Sequence, residues 1–527
     1  MNNQHDHETK VVLKGTLILT ISALVIKILS AVYRIPFQNI VGDTGFYIYQ
    51  QVYPLYGIMV VLGAYGFPAA VSKMIADAEG ELQARRKILA AALFWTGLFA
   101  VTLFVILFFG AEKIALFMND VQLTLPIKAV SFSFLVIPIS AVIRGYFQGK
   151  SNMFPTAVSQ TTEQFVRVGV ILLLSTWLFH SGSDLYTIGA GAMFGALAGG
   201  LASVTLLFVF AKKTTHSLAL QKPSQAMLQT VGKALLFQGL AFCLTNLLLV
   251  LLQLIDSFQL YKNLVMSGFA ADQAKMIKGV FDRGQPLLQL GVVISTSLGL
   301  SVIPMLAKLV KVNKKQEIFE KIKMTMRLSF GFGLGAAVGL ILLIKPINIM
   351  LFTNADGTNT LRILMITVFF ASIFIACATI LQILGKVRLN MLVIAFILLV
   401  KLSLNQPLIS EYGILGAALA TVIAVSSGSM MIYVMLCYTI QKSPISIKKA
   451  LSLLLSISIM AVTLILIQLL PWQVNSRWHA AMTATLSSVI GGIVYLIALF
   501  KFRFFTKAEL SFIPFAHKLQ FLFKIRS

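Results

Sequence analysis

Residues 144–169 read RGYFQGKSNMFPTAVSQTTEQFVRVG and place Arg144, Lys150, Glu163 and Arg167 within 24 positions. The chain around them has 527 residues, of which 58% are hydrophobic and 12% charged. That is about half the charged fraction of a soluble protein. Apolar runs of about 20 residues recur along the whole length, which is what a helix needs to cross the bilayer core. In lipid only helices and closed barrels satisfy their own backbone hydrogen bonds. The runs are continuous rather than alternating, so the chain reads as an all-α polytopic membrane protein. Glu163 and Arg167 then fall inside a span, and an acid and a base there need a reason.

Working outward, the expected spans are 13–33, 46–70, 86–110, 123–147, 156–180, 186–211, 231–255, 285–307, 324–345, 360–385, 388–409, 413–440, 449–471 and 479–501, fourteen in all. The longest gap, 256–284, is too short for a soluble domain. The first span follows the polar head MNNQHDHETK without an A-x-A-like cleavage site, so it reads as a retained helix and not a signal peptide. Cys243, Cys377 and Cys437 all sit in apolar spans and imply no disulfide framework.

The net charge of +25 needs no nucleic acid, because cytoplasmic loops collect Lys and Arg. With both termini in the cytoplasm, about 30 of the 43 basic residues fall on the inner side and about 11 on the outer, leaving Lys27 and Arg167 within spans.

Landmarks repeat at a nearly fixed offset. Pro68 and Pro304 are 236 apart, as are Gly149-Lys150 and Gly385-Lys386; Leu116-Phe117 and Leu351-Phe352 are 235 apart, as are Lys73 and Lys308. Six spans separate equivalent points, so both copies face the same way. This predicts two parallel-oriented six-helix lobes with a cavity between them. The N-lobe is 1–211, a cytoplasmic linker 212–230, the C-lobe 231–440, and two unpaired spans occupy 441–501. The tail 502–527 is basic and rich in Phe and Leu, and is expected on the inner leaflet surface.

A charge at the bilayer centre costs about 2.5–3.5 kcal/mol on insertion scales, so such groups should face a cavity or a partner. Glu163 and Arg167 are four apart and able to pair on one face. Pro155 suits the first turn of their helix; Glu163 is then about 12 Å and Arg167 about 18 Å along it. Lys27, Ser30 and Arg34 share a face of the first span, with Arg34 within reach of the outer headgroups by snorkelling. Asn246, Gln253 and Asp256 form a stripe on the seventh span; Asp282, Gln285 and Gln289 form another at the mouth of the eighth, beside Arg283. Each stripe is either a wetted wall or polar glue between helices. Arg144 and Lys150 at the inner end of the fourth span follow from positive-inside topology, or else mark where an anionic headgroup is admitted.

Other signals carry less. GFGLGAAVG (331–339) follows no strand and reads as close helix packing. Gly191, Gly195 and Gly199, at four-residue spacing, do the same. No HExxH, Walker A loop or nucleophile elbow occurs, so neither a metal nor another cofactor is expected.

Four stretches, YRIPFQNIVGDTGFYIYQQVYPLYG (33–57), GFPAAVSKMIAD (66–77), RGYFQGKSNMFPTAVSQTTEQFVRV (144–168) and DRGQPLLQL (282–290), together resemble the stage V sporulation protein B-like branch of the MOP superfamily. That superfamily contains multidrug, oligosaccharidyl-lipid and polysaccharide exporters. The resemblance implies two six-helix lobes plus two helices, alternating access, and a polyprenyl-diphosphate-linked saccharide as cargo, such as a cell-wall or spore-cortex precursor. In the related lipid II flippases, basic residues of the first span line a cationic cavity, a pattern that Lys27 and Arg34 match approximately. Asp282-Arg283 is similar to an Asp-Arg pair at the start of their eighth span. Lys27 stands where arginine is more usual, and an ammonium acts as a point charge rather than a bidentate fork.

The chemistry agrees: Lys27, Arg34, Arg167 and Arg283 attract a diphosphate, Asn and Gln bond sugar hydroxyls, and the tail stays in lipid. On this reading Glu163 holds Arg167 until a diphosphate replaces it. The expected partners are the lipid-linked saccharide, membrane lipids and cell-wall synthesis proteins, with the chain itself monomeric in the cytoplasmic membrane. The main alternative is a cation-coupled multidrug antiporter of the same superfamily, whose pocket would favour acids and aromatics. A second rival, a membrane-embedded glycosyltransferase, would need a larger extramembrane region with catalytic carboxylates.

Overall fold

The computed structural model describes residues 18–213 (except 20), 220–297 (except 294), 306–310 (except 308), 312–469 and 476–505. The beginning of the expected first span, most of the tail and part of the linker lie outside the described residues. Twelve helices among the described residues are long and apolar enough to cross a bilayer. The first, Ile21–Asp77, is 57 residues long and holds two expected spans, 13–33 and 46–70. It bends at Gly42, whose φ of 67° and ψ of −174° are essentially restricted to glycine. The expected eighth span begins with the helix Gly284–Gly291 and then runs largely outside the described residues. Thirteen of the fourteen expected spans therefore correspond to the twelve helices, one of which carries two.

Large apolar side chains stay on the outside of the helices: Phe109, Leu173 and Leu469 are each about three-quarters exposed. A soluble protein rarely leaves so much apolar surface in water; here lipid is the solvent.

The described helices used below are α1 (Arg34–Val61), α2 (Leu82–Phe109), α3 (Thr124–Gly149), α4 (Phe154–His180), α5 (Leu185–Lys213), α6 (Leu240–Met266), α7 (Ala271–Asp282), α8 (Lys315–Phe352), α9 (Thr358–Ile383), α10 (Val387–Tyr412), α11 (Ile414–Ile440) and α12 (Arg477–Lys501). The chain forms two compact units. One comprises the residues through Leu290 together with Asn390–Ala424; the other comprises Gly291–Leu389 and the residues from Val425 onward.

In the first unit α1 is the hub. It packs against α3, α4, α5, α6 and α7, and 18 of its 28 residues are buried. The pair α4–α5 is the most extensive packing in this unit, and the glycine stripe explains it. A Cβ on Gly191 would meet Leu178, one on Gly195 would meet Ile171, and one on Gly199 would lie 2.6 Å from the backbone oxygen of Glu163. Hydrogen at these positions lets α5 seat against the face of α4 that carries Glu163 and Arg167. Two π-helical turns, Leu62–Gly66 and Ala234–Gly239, also touch, with Gly66 close to the backbone of Gly239.

In the second unit α8 pairs with α9 and with α12. The expected close packing of 331–339 is present. A Cβ on Gly331 would meet Phe504 and Phe505, one on Gly333 would meet Ser372, and one on Gly335 would meet Tyr495. The Tyr495 hydroxyl donates to the Gly331 carbonyl at 2.7 Å.

Candidate functional site

The site is built on α1. Tyrosines at 49, 53 and 56 repeat at i, i+4 and i+7, which places them on one helical face. Tyr33 joins them through a 2.5 Å hydroxyl–hydroxyl contact with Tyr49. Into this aromatic shell come two guanidinium groups. Arg34 is fully buried, with its central carbon 4.2 Å from the Tyr53 ring centroid and 5.9 Å from that of Tyr33. Arg167 reaches in from α4, 5.7 Å from the Tyr33 centroid and 5.3 Å from that of Tyr56. One tyrosine ring thus lies beside both cations.

Their hydrogen bonding is incomplete. Arg167 donates to the Tyr56 hydroxyl at 3.0 Å and to the Ser30 hydroxyl at 3.2 Å, while its Nε has no partner. None of the three guanidinium nitrogens of Arg34 has a hydrogen-bond partner among the described residues. A guanidinium carries five N–H donors, and leaving a buried charge unpaired is costly. Ring faces recover part of that cost. The remaining donors suit a ligand with several anionic oxygens, for which arginine's planar fork is well matched.

Three sequence expectations are corrected here. Glu163 does not hold Arg167. It accepts from Arg144 at 2.6 Å, and Arg144 also donates to the hydroxyls of Ser159 and Ser203. Arg144 is therefore not a surface group admitting headgroups: it is 3% exposed and locked between α4 and α5. The i, i+4 spacing permitted the Glu163–Arg167 pair, but a base from α3 outcompetes it because two hydroxyls complete its coordination. Arg34 does not snorkel outward, since the aromatic shell encloses it. Lys150 is exposed and lies 4.8 Å from the Tyr146 ring. Lys27 is half-buried with no carboxylate partner among the described residues.

A second tier of charges is paired. Arg283 makes a bidentate contact with Asp43, Nε to Oδ1 at 2.8 Å and Nη2 to Oδ2 at 2.5 Å; Gln38 donates to the same Asp43 at 3.0 Å. Gly279 makes this approach possible, because a Cβ there would fall 2.0 Å from the Asp43 carbonyl oxygen. Lys278 donates to both oxygens of Asp282, at 2.9 and 2.6 Å. On α6, Asp256 pairs with Lys401 of α10 at 2.7 Å, and Lys401 also donates to Thr421 and to the Ala417 carbonyl. Asn405 links Asp256 to Gln259.

Arg283 and Asp282 are thus neighbours in sequence with separate partners, and Arg283 is a paired cation rather than an open one. The expected stripes divide as well. Gln253 is buried with an unpartnered Nε2, whereas Asn246 is half-buried. Gln285 is buried and Gln289 half-buried, on a helix that starts after the break at Arg283.

Sequence reading missed Asp43, Lys278, Lys401 and the tyrosines. Lys401 was as visible as Lys27, a lysine in the middle of an apolar span. The tyrosine repeat was visible in the quoted stretch 33–57. Asp43 gave no signal of its own, because its role depends on a residue 240 positions away.

The family model for polysaccharide biosynthesis proteins matches residues 12–310. An uncharacterized membrane protein of Bacillus subtilis (strain 168), YabM, is 39% identical over 516 residues, covering 96% of this chain and 95% of its own. Lipid II flippase MurJ of the same organism is 28% identical over 525 residues, covering 94% and 96%. Stage V sporulation protein B, again of B. subtilis, is 28% identical over 524 residues, covering 96% and 98%. Among solved structures, lipid II flippase MurJ in an inward closed conformation aligns with a TM-score of 0.67 at 17% identity, covering 93% of this chain and 98% of that one. An inward-facing multidrug resistance MATE family transporter of the MOP superfamily aligns with a TM-score of 0.64 at 14% identity, covering 82% and 98%. The chain is a multi-pass membrane protein with the fold of these two structures, and it belongs to the polysaccharide biosynthesis protein family.

Proposed function

We propose that the protein is a transporter that flips a polyprenyl-diphosphate-linked saccharide across the cytoplasmic membrane by alternating access. One observation carries this reading: Arg34 and Arg167 are buried in one tyrosine shell with no carboxylate hydrogen-bonded to either among the described residues. A diphosphate supplies the oxygens those donors lack. Lys27, on the same helical face as Ser30 and Arg34, adds a point charge on the approach. The paired tier of Asp43–Arg283, Lys278–Asp282 and Asp256–Lys401 is the part that rearranges as the protein alternates, and Arg283 becomes available to substrate when Asp43 releases it. Two six-span lobes, 1–211 and 231–440, do the rocking, with both termini in the cytoplasm. The similarity to a lipid II flippase supports this cargo class, and the excess of buried base over acid at the shell speaks against a pocket for cationic drugs.

The test is flipping of a fluorescent polyprenyl-diphosphate disaccharide in proteoliposomes. Arg34→Ala and Arg167→Ala should each lower the rate at least tenfold, and Arg167→Lys should recover only part. Full transport in both alanine variants would overturn the reading. In cells, depletion should raise one lipid-linked saccharide on the inner leaflet, which identifies the cargo.

A further inference from the structure

Near the last turns of α6, away from the tyrosine shell, the first unit holds a hollow of about 440 Å³. Its walls differ from those of an ordinary gap between membrane helices. Gln259, Lys262 and Asn263 line it from α6 and Gln406 from α10, together with the rings of Phe117 and Phe258. The two rings meet edge to face, 5.6 Å between centroids. The Asn263 side chain is 6% exposed, and its Nδ2 has no hydrogen-bond partner among the described residues. A buried amide donor left open is costly, so it calls for a ligand oxygen. The rim is apolar and exposed: Phe117 at 68%, Met266 at 67% and Leu402 at 44%.

The lining therefore combines three amides, one ammonium and two aromatic rings behind a lipid-facing edge. Amides bond sugar hydroxyls, rings take the apolar face of a pyranose, and Lys262 suits a phosphate. A phospholipid without sugar would use the ammonium and leave the amides idle. The hollow also communicates with the paired charges. Gln259 accepts from Asn405 at 3.0 Å, and Asn405 donates to Asp256, the partner of Lys401.

We propose that this hollow is a second binding site, for the sugar-bearing headgroup of a glycolipid held at the membrane edge, separate from the guanidinium shell. The inference rests on the transport reading above. In the topology proposed there, the ends of α6 and α10 and the Phe117 turn all lie on the outer side, so the site receives the headgroup after translocation. Its occupancy reports to the Asp256–Lys401 pair through Asn405.

The test uses the full-length protein in nanodiscs with undecaprenyl-diphosphate N-acetylglucosamine carrying a diazirine on the sugar. Light should label residues 254–266, and labelling should fall at least fivefold in Gln406→Leu and in Asn263→Leu. Gln406 is exposed, so its substitution leaves folding intact, and a melting curve checks Asn263→Leu. Excess unlabelled glycolipid should compete, whereas undecaprenyl phosphate and phosphatidylglycerol should not. Equal labelling in both variants, or equal competition by the sugar-free lipids, overturns the proposal. Wild-type protein that transports the lipid but leaves 254–266 unlabelled sinks the site and spares the transport reading. Protein that labels there but transports nothing does the reverse.

Discussion

Three arginines of the first unit illustrate what burial does to a charge. Arg144 has an acid and two hydroxyls, Arg283 has a bidentate acid, and Arg34 has tyrosines and no acid among the described residues. The first two are paired, and in the proposed function the third meets the ligand. This difference is measurable. Glu163→Gln leaves Arg144 as a buried charge without its counter-ion and should destabilise the purified protein by about 3 kcal/mol, the low end for such a loss because Glu163 is 17% exposed. A melting curve in detergent checks this. The double change Arg144→Met with Glu163→Leu should recover most of the loss, since apolar replacements of buried pairs are commonly neutral. At the shell, Tyr53→Leu should weaken binding of a diphosphate lipid while Tyr53→Phe largely preserves it, because the Tyr53 ring lies 4.2 Å from the central carbon of Arg34. Equal weakening by both would mean the hydroxyl matters more.

At the scale of elements, backbone geometry sets which side chains can meet. Gly42 turns the chain between Arg34 and Asp43, and Gly279 admits the Asp43 backbone. Gly42→Ala should cost about 1–3 kcal/mol through its disfavoured dihedrals and should lower transport by shifting Asp43 off Arg283. Gly199→Val forces a side chain against the Glu163 carbonyl and should separate α5 from α4, lowering both the melting temperature and transport. Gly97→Ala on α2, with nothing within 4 Å, is the control and should change neither. Leu116-Phe117 and Leu351-Phe352 each end a helix.

For the whole molecule, the question is what drives net movement. The proposed diphosphate cargo, with about two negative charges, gains roughly 4–5 kcal/mol on moving outward because an inside-negative potential of 100 mV favours that direction. In the proposed function, that gain drives export without a nucleotide. Collapsing the potential in proteoliposomes should slow net flipping at least tenfold, and restoring it with a potassium gradient and valinomycin should recover the rate. Insensitivity to the potential would assign the drive to a coupled ion instead.

The sequence by itself determined the membrane class, nearly all the spans and that the 191–199 face packs closely on another helix, because hydrophobic run length and four-residue glycine spacing are local properties of one helix. It also singled out Arg34 and Arg167, since a charge in an apolar run is visible wherever it occurs. Only the tertiary structure decided who pairs with whom: Arg144 rather than Arg167 took Glu163, Asp43 took Arg283, and Lys401 took Asp256. Those choices depend on which helices approach and on how completely each partner can be solvated by its neighbours, and no spacing within one helix encodes that.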